Sequence, residues 1–383
     1  MAFSVLEAEY VAATPIYMGN ERPDKPAQRL REASFKGVLR FWWRALMWNQ
    51  VWQELQNEEK ALAALKKLEG ELFGFATDKS NGKSTGRAST FVLRIHETSA
   101  GQKDRLPGNG WRYLLGQGLK GHEPSHHAGT RFLVRLLLKR EISDQQLLQL
   151  QQALVALGLF GGVGARSRRG VGSLSIHALR EDGSSAGEVP QKAGDLPKAL
   201  QWLGLPATCP KPKFAAFSSE SRVDLWPGDI ARFGFEFLDW RSYYDHHQRP
   251  PVRKRNPNFP DDHDEMLKAA MGRRPARHPE RVIFGLPHNY FFRSKKEKVE
   301  VNYGTAFDKR SEGKHERHAS PYILHAHAFP DGTEGVVQLL LPQHFAENQI
   351  AVRHRGNKWK LPLHPDWQVV HDFMNYMNGR KLI

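Results

Sequence analysis

A row of cationic side chains recurs at four-residue spacing between residues 34 and 46. On a helix this spacing places its members, Lys36, Arg40 and Arg44, on one stripe. Gly37 beside them has no side chain and lets a backbone come close, and the ring of Trp43 is placed to stack on a base or on a guanidinium. The segment therefore predicts contact with phosphate groups. The alternative is an amphipathic helix whose basic face is solvated and whose tryptophans lie in the core.

A second group of candidate residues lies in the glycine-rich loop 161–172. Glycines that reach positive φ can expose successive backbone N–H groups as an anion-binding nest, and arginines in the same loop add charge. The residues expected to bind are Gly161, Gly162, Gly164, Arg166, Arg168 and Arg169. A dinucleotide-binding motif is excluded, because these glycines follow a helix and precede a strand, the reverse of what that motif requires. The alternative is a flexible basic hairpin.

Basic clusters also occur in the second half of the chain. They comprise Arg249, Arg253, Lys254 and Arg255, and then Arg273, Arg274, Arg277 and Arg281, with Arg273 and Arg274 the preferred RNA contacts. Possible stacking faces nearby are Tyr243, Tyr244, His278, Tyr290 and Phe291. A solvated charge run is an equal alternative for each cluster.

Signals for catalysis or metal binding are weak. Residues 82–85 (Gly-Lys-Ser-Thr) resemble the end of a phosphate-binding loop, but Thr77 stands where its first glycine is required. His325 and His327 would share one strand face, although a core role is the better interpretation, and the other histidine pairs lack a second cluster at metal-ligand spacing. Neither a serine-nucleophile elbow nor paired catalytic carboxylates are visible. We therefore expect no catalytic residue, no metal and no cofactor.

Composition narrows the class of protein. The chain has 383 residues, 40% of them apolar, which is enough for a sizeable core and suggests two domains. A single cysteine excludes a disulfide framework and a cysteine-rich zinc module. Glu7 and Glu9 interrupt any leader-like apolar run, and no stretch is long enough to span a bilayer, so we expect a cytoplasmic protein without a membrane partner. A net charge of +15 predicts a polyanionic partner, nucleic acid first.

Hydrophobic periodicity predicts an ordered series of elements over the first ~180 residues. Strands are expected at Phe3–Ala12, Thr90–Glu97, Thr130–Lys139 and Val171–Ala178, and helices from Phe35, over Glu59–Phe73 and over Asp144–Leu157. Apart from the extension after the first helix, the order is strand, helix, strand, strand, helix, strand. This is the split βαβ pattern of a ferredoxin-like sheet, which RNA-recognition motifs share.

The second half is less regular. Residues 181–198 have the composition of a linker. Alternation of Phe233, Phe235 and Phe237 predicts a strand over Ile230–Asp239. Two further strands, Pro321–Phe329 and Glu334–Leu341, are expected to flank a hairpin turn, and Asp366–Met377 is expected to be helical. Between them, residues 243–314 form a long basic region with little pattern, which indicates either a functional loop or undetected helices.

Three segments resemble the RAMP superfamily of CRISPR-associated proteins, and within it the family of first subunits of the Cmr (type III-B) RNA-guided effector complex. They are Ser34–Leu46, Gly161–Gly172, and Phe284–Tyr290 together with Arg317–Pro321. The resemblance implies an α+β fold of two tandem ferredoxin-like (βαββαβ) domains. We therefore expect an N-terminal domain at 1–190 with the loop 161–172, and a C-terminal domain at 191–383 with a basic insertion at about 243–314.

The same resemblance implies a non-catalytic RNA-binding subunit of a type III-B ribonucleoprotein that functions in antiviral defence. Its expected partners are guide RNA and single-stranded target RNA near the 3′ end of the guide, and the other RAMP subunits of the complex. One alternative is a RAMP-type endoribonuclease that processes guide RNA with a histidine as general base, for which His177 is the nearest candidate downstream of the loop. Another is a generic basic protein without preference for RNA.

Overall fold

The computed structural model describes residues 4–19, 29–75, 86–102, 108–119, 121–139, 141–253, 256–292, 294–304, 317–345 and 348–383. Lys254, Arg255 and residues 82–85 lie outside these ranges. Among the described residues, no helix combines the length and apolar character that a bilayer crossing requires.

The first half folds as one five-stranded antiparallel sheet covered by helices. Its elements are β1 (Val5–Ala12), α1 (Glu32–Leu55), α2 (Glu58–Phe73), β2 (Phe91–Ser99), α3 (Gly108–Leu115), β3 (Arg131–Leu138), α4 (Asp144–Phe160), β4 (Leu174–Glu181) and β5 (Ser184–Ser185). The strand order is β2-β3-β1-β4-β5. With β5 left aside, this is the order of a ferredoxin-like sheet, as predicted.

Local signals in the sequence set the helix boundaries of this half. Asn57 begins α2 by accepting a hydrogen bond from the Lys60 amide at 3.0 Å. Ser143 and Gln146 form a reciprocal capping box at the start of α4. Both α1 and α4 pack into the hydrophobic core beneath the sheet, where the Tyr10 hydroxyl on β1 donates to the Leu154 carbonyl at 2.8 Å. This hydrogen bond fixes α4 relative to β1.

The second half repeats the strand order of the first. Its elements are a 3₁₀ turn (Ala193–Asp195), α5 (Leu196–Trp202), β6 (Arg222–Pro227), α6 (Ile230–Arg241), β7 (Tyr244–Asp245), β8 (Val252–Arg253), α7 (Asp262–Ala270), a 3₁₀ turn (Glu280–Phe284), β9 (His288–Phe292), β10 (Glu297–Tyr303), β11 (Tyr322–Ala328), β12 (Glu334–Leu340), β13 (Gln349–His354), β14 (Asn357–Pro362), α8 (Gln368–Met377) and β15 (Arg380–Lys381). The order β11-β12-β6-β15 is that of a second ferredoxin-like sheet, with α6 and α8 as its two helices. The tandem α+β fold is confirmed.

The region 243–314 is inserted between α6 and β11 and contains regular structure. Its strands β9 and β10 join β13 and β14 in a separate sheet of order β14-β13-β10-β9. Helix α7 packs on that sheet around a third apolar cluster, which contains Met266, Val299 and Val352. The described part of the basic insertion therefore folds together with β13 and β14, which follow β12 in the chain.

The strand predicted at Ile230–Asp239 is wrong, because this segment is helix α6. Asp229 accepts a hydrogen bond from the Arg232 amide at 2.8 Å and caps the helix. Phe233, Phe237 and Trp240 fall at i, i+4 and i+7 and form its buried face, whereas Phe235 is partly exposed.

The two halves share their apolar interior. One buried cluster runs from the first sheet through α5 to residues of the second sheet, such as Val223 and Val337. Helices α3 and α6 cross at glycines, since a Cβ on Gly110 would overlap the Ala231 carbonyl and one on Gly234 would lie 2.6 Å from the Gly110 carbonyl. The halves are thus packed tightly against each other, and the boundary near residue 190 stays a prediction.

Candidate nucleic-acid interface

Helix α1 presents its cations to two different surroundings. Arg40 Nε lies 3.2 Å from Glu69 Oε1, and its Nη2 donates to the Gly74 carbonyl at 3.0 Å, so it closes the end of α2. Arg44 Nε lies 3.5 Å from Glu69 Oε2, with 42% of its side chain exposed. Lys36 lies with Nζ 5.3 Å from the centre of the Phe91 ring, and burial together with Arg40 lowers its pKa. All three cations are partly buried, and Arg40 and Arg44 share the carboxylate of Glu69.

The prediction that Trp43 stacks on a base is wrong. Its side chain is completely buried, and its indole Nε1 donates to Gln149 Oε1 at 3.3 Å. The ring packs edge-on against Phe73 at 5.8 Å between centroids. The alternative, a core tryptophan, is what the structure shows.

The glycine-rich loop is held by its own backbone and by the segment after β1. The amides of Val163, Ala165 and Gly172 donate to the carbonyls of Gly172, Tyr17 and Pro15 at 2.9, 2.8 and 3.0 Å. Gly164 (φ +85°) and Gly172 (φ +67°) adopt the left-handed region that favours glycine. These three amides are therefore used by the fold and are not available to bind an anion.

The three arginines of the loop point in different directions. Arg166 has positive φ (62°) and is exposed next to Gly116. The Arg168 guanidinium lies 5.1 Å from the centre of the Phe41 ring, and its Nη1 donates to the Ser320 carbonyl at 2.6 Å. Burial lowers the pKa of Arg168 to about 10, so it remains cationic at neutral pH. Arg169 turns away, toward the insertion.

Two adjoining cavities follow one side of α1 and share Phe41 and Arg168. The larger has a volume of about 730 Å³, and the smaller has a volume of about 240 Å³. We call them together the α1 groove, which is lined by Gly37, Phe41, Arg44, Lys66, Arg168, Arg317 and His318, with Gly161 and Gly162 at the smaller end. A Cβ on Gly37 would meet nothing within 4 Å, so the groove is open along the helix at this point.

The α1 groove combines positive charge with aromatic faces. Four cations, Arg44, Lys66, Arg168 and Arg317, line it, and Glu69 is the acidic residue among its described lining residues. His318 stacks on Phe345 with 4.2 Å between ring centroids, and burial lowers its pKa to about 4, so the ring is neutral at pH 7. Such a surface can neutralise phosphates and stack against bases without reading sequence.

The structure brings together some of the predicted residues and separates others. Arg44, Gly161, Gly162 and Arg168 meet at the α1 groove, whereas Lys36, Arg40, Gly164, Arg166 and Arg169 lie outside it. Arg273 and Arg274 are exposed after α7, and Arg274 Nη2 donates to the Lys360 carbonyl at 3.3 Å. Phe41 and Lys66 also line the groove and were not predicted from the sequence. Helical spacing was the available signal, since Phe41 lies one turn after Gly37 and Lys66 lies one turn before Gly70.

The histidines of β11 form a buried pair. His325 Nδ1 lies 2.7 Å from the Gly161 carbonyl oxygen, and its Nε2 lies 3.1 Å from His327 Nδ1. Burial lowers the pKa of His325 to about 4 and that of His327 well below its usual value. His177 Nε2 lies 2.9 Å from the Ala328 carbonyl oxygen. Within the described ranges, no group of three or more His, Cys, Asp or Glu side chains could hold a metal ion.

This fold and this groove define a class of protein. The profile of the RAMP superfamily matches residues 9–175, which contain β1 to the start of β4 and the glycine-rich loop. This segment of the chain is similar to the RAMP superfamily.

Within that superfamily the chain is similar to Cmr subunits. It is 32% identical over 151 residues to the CRISPR system Cmr subunit Cmr1-1 of Pyrococcus furiosus, a match that spans 38% of this chain and 40% of that subunit. It is 26% identical over 188 residues to subunit Cmr1-2 of the same organism, which spans 44% of this chain and 94% of that subunit.

Solved structures agree in fold over nearly the whole chain. The crystal structure of Cmr1 from Pyrococcus furiosus in its apo form superposes with a TM-score of 0.50 at 19% identity and covers 99% of this chain and 98% of its own. A cryo-EM structure of the type III-B Cmr-beta complex bound to cognate target RNA contains a chain that matches with a TM-score of 0.52 at 12% identity, covering 98% of this chain and 99% of its own.

Proposed function

We propose that this protein is a non-catalytic RNA-binding subunit of a type III-B CRISPR effector ribonucleoprotein, and that it holds guide or target RNA in the α1 groove. The observation that supports the proposal most directly is the convergence of Arg44, Lys66, Arg168 and Arg317 on one open surface. These cations come from α1, α2, the glycine-rich loop and the segment before β11. Four separate parts of the fold thus contribute charge to one groove.

The chemistry of the groove favours RNA over a generic polyanion. Phosphate contacts supply affinity that does not depend on sequence. The faces of Phe41 and His318 add stacking surfaces, which an unpaired strand can use and a sulfated polysaccharide cannot. Sequence specificity in such a complex comes from pairing between guide and target, so the subunit needs no base-reading side chains.

The relatives support the partners in this proposal. Two relatives are Cmr subunits of CRISPR systems, and one structural neighbour belongs to a complex bound to target RNA. We therefore propose that this chain assembles with other RAMP subunits around guide RNA, with its groove near the guide 3′ end.

The histidines do not favour the endoribonuclease alternative. A general base requires a pKa near the working pH and access to the substrate hydroxyl. His325 and His327 are buried with strongly lowered pKa values, and burial also lowers the pKa of His177, which contacts a backbone carbonyl. RNA incubated with the purified chain, with and without EDTA, should stay intact.

The test is a salt titration of RNA binding with a matched pair of variants. Fluorescence anisotropy with a labelled single-stranded RNA should give a log–log slope against salt of roughly −2 to −3, as expected for three or four phosphate contacts. Lys66→Gln should make that slope shallower by about 0.7 and weaken binding of unrelated sequences equally. Lys67 is exposed on the same helix and does not line the groove, so Lys67→Gln is the control.

Two results would count against the proposal. A slope near zero would exclude phosphate contact as the source of affinity. Equal losses in Lys66→Gln and Lys67→Gln would show that net charge, and not the groove, attracts the RNA.

A further inference from the structure

A second basic cavity lies on the other side of the glycine-rich loop. It has a volume of about 400 Å³ and is lined by residues of the loop, α3, α6 and the insertion. We call it the arginine–tyrosine pocket, after Arg169, Arg241, Arg281, Tyr113, Tyr243 and Tyr244. Arg168 lines the α1 groove and Arg169 lines this pocket, and both also line a small cavity together with Arg241.

Two of the three guanidinium groups of the pocket, those of Arg241 and Arg281, lie over ring faces. Arg241 is 7% exposed and lies 4.7 Å from the centre of the Phe284 ring. Arg281 lies 4.7 Å from the centre of the Tyr243 ring and 4.8 Å from that of Phe259. Stacking fixes the orientation of these groups and leaves their N–H edges to bind other groups.

Positive charge in the pocket exceeds negative charge. Asp262 is the acidic group nearest Arg281, with Oδ2 3.6 Å from its Nε, and the carboxylate also accepts the Glu280 amide at 2.7 Å. Burial raises the pKa of Asp262 to about 6, so this carboxylate takes up a proton more readily than an exposed aspartate does. Among the described residues that line or adjoin the pocket, three guanidinium charges stand against the one carboxylate of Asp262, which leaves two of them without an acidic partner.

Donor groups in the pocket lack acceptors. Among the described residues, Nε and Nη2 of the Arg281 guanidinium are buried without a hydrogen-bond partner. Arg169, Arg241 and Arg281 line the pocket together with His288, and they add to burial in lowering the pKa of that ring. Unpaired buried donors are costly, and an anion with several oxygens would satisfy them together.

We propose that the arginine–tyrosine pocket binds the terminal nucleotide of an RNA strand through a phosphomonoester. A terminal phosphate carries close to two negative charges, which matches the two uncompensated cations, whereas a phosphate within a strand carries one. The volume suits one nucleotide, and Tyr244, which is 47% exposed, offers a ring face for its base. This inference rests on the proposed RNA-binding function and adds recognition of a strand end.

The experiment compares RNAs of one sequence that differ only at their ends. Twelve-nucleotide RNAs with a 5′-phosphate, a 3′-phosphate or hydroxyl ends are titrated with the full chain, next to AMP, adenosine and inorganic phosphate. One phosphorylated RNA should bind about tenfold more tightly than the hydroxyl form, the effect of a charge-assisted contact. AMP should bind more weakly than that RNA, and adenosine more weakly than AMP.

Variants separate the pocket from the α1 groove. Arg169→Gln and Tyr244→Ala, both at partly exposed side chains, should abolish most of the preference for the phosphorylated end. Arg44→Gln should weaken the binding of all the RNAs equally and leave the preference for the phosphorylated end unchanged. Arg232→Gln on α6, whose guanidinium lies over the Trp226 ring outside the pocket, is the control.

The outcomes distinguish the two proposals. Equal binding of phosphorylated and hydroxyl RNAs would overturn the pocket assignment while RNA binding itself stands. AMP binding as tightly as the phosphorylated RNA would overturn the strand-end assignment in favour of a free nucleotide. Absence of binding by every RNA would refute the proposed function as well.

Discussion

Glu69 is the acidic residue that most directly limits the charge of the α1 groove. It contacts Arg40 and Arg44 at 3.2 and 3.5 Å and lines the larger cavity itself. Replacing it by glutamine removes one negative charge and nearly preserves shape. We therefore expect Glu69→Gln to bind single-stranded RNA more tightly than the unmodified chain.

The magnitude follows from Coulomb's law. A phosphate about 7 Å from the carboxylate is repelled by ~0.6 kcal/mol at the dielectric constant of water and by ~2.4 kcal/mol at an effective value of about 20. Screening at about 0.1 M salt roughly halves both values. The affinity should therefore rise between about twofold and sevenfold.

The assay is fluorescence anisotropy with a labelled RNA at about 0.1 M salt, together with urea unfolding. Glu71→Gln, on the opposite side of α2 and outside the groove lining, is the control. The free energy of unfolding of Glu69→Gln should fall by no more than about 1 kcal/mol, because its ion-pair partners Arg40 and Arg44 are both more than one-third exposed. If a folded Glu69→Gln chain bound RNA no better than Glu71→Gln, the groove would not be where phosphates bind.

Three further predictions concern the parts that position the groove. Trp43→Ala should reduce the free energy of unfolding by about 3–5 kcal/mol in urea titrations, because the ring is wholly buried, and a loss below 1 kcal/mol would contradict its core role. Gly172→Ala should destabilise the loop, since φ is +67° and a Cβ would overlap the Val163 carbonyl, and an unchanged thermal midpoint would show that the loop can shift. The pKa of His325 is about 4 in the folded chain and about 6.5 in the unfolded chain, so the unfolded chain binds more protons between these values. The free energy of unfolding should therefore fall as the pH drops from about 6.5 to about 4. Urea midpoints at several pH values for the unmodified chain and His325→Asn measure this, and identical slopes for the two would refute it.

The first half of the fold could be predicted because its signals are local. Alternation in β1 and β3, the capping residues of α4 and the order of elements together determine a ferredoxin-like sheet when neighbouring strands pair. The second half has the same strand order, but a folded insertion separates α6 from β11 by about 80 residues. No local pattern links strands that far apart.

Helix α6 shows where periodicity misleads. Phe233, Phe235 and Phe237 alternate as a strand would, yet Phe233 and Phe237 are also one helical turn apart. Asp229 as a helix cap and Trp240 one further turn along were the signals that favour a helix. Counting the apolar positions that fit each period over a longer window would have separated the helix from the strand interpretation.

The candidate site could be predicted in kind but not in detail. The types of residue, cations beside glycine on α1 and arginines in the loop, were visible in the sequence, and Arg44 and Arg168 do meet. Other features depend on packing between segments that are remote in sequence. Among them are the ion pair of Glu69 with Arg40, and the placement of Arg168 in the α1 groove and of Arg169 in the arginine–tyrosine pocket. The same holds for Arg241 and Arg281, which meet Arg169 only in the folded chain.

The most direct test of the RNA-binding surface is photo-crosslinking of 4-thiouridine RNA to the full chain, followed by identification of the modified peptides. The account predicts crosslinks within residues 34–44, 161–169 and 317–320, which line the α1 groove and its border with the second pocket. Crosslinks confined to the exposed arginines at 273 and 274, with none in these three segments, would contradict it.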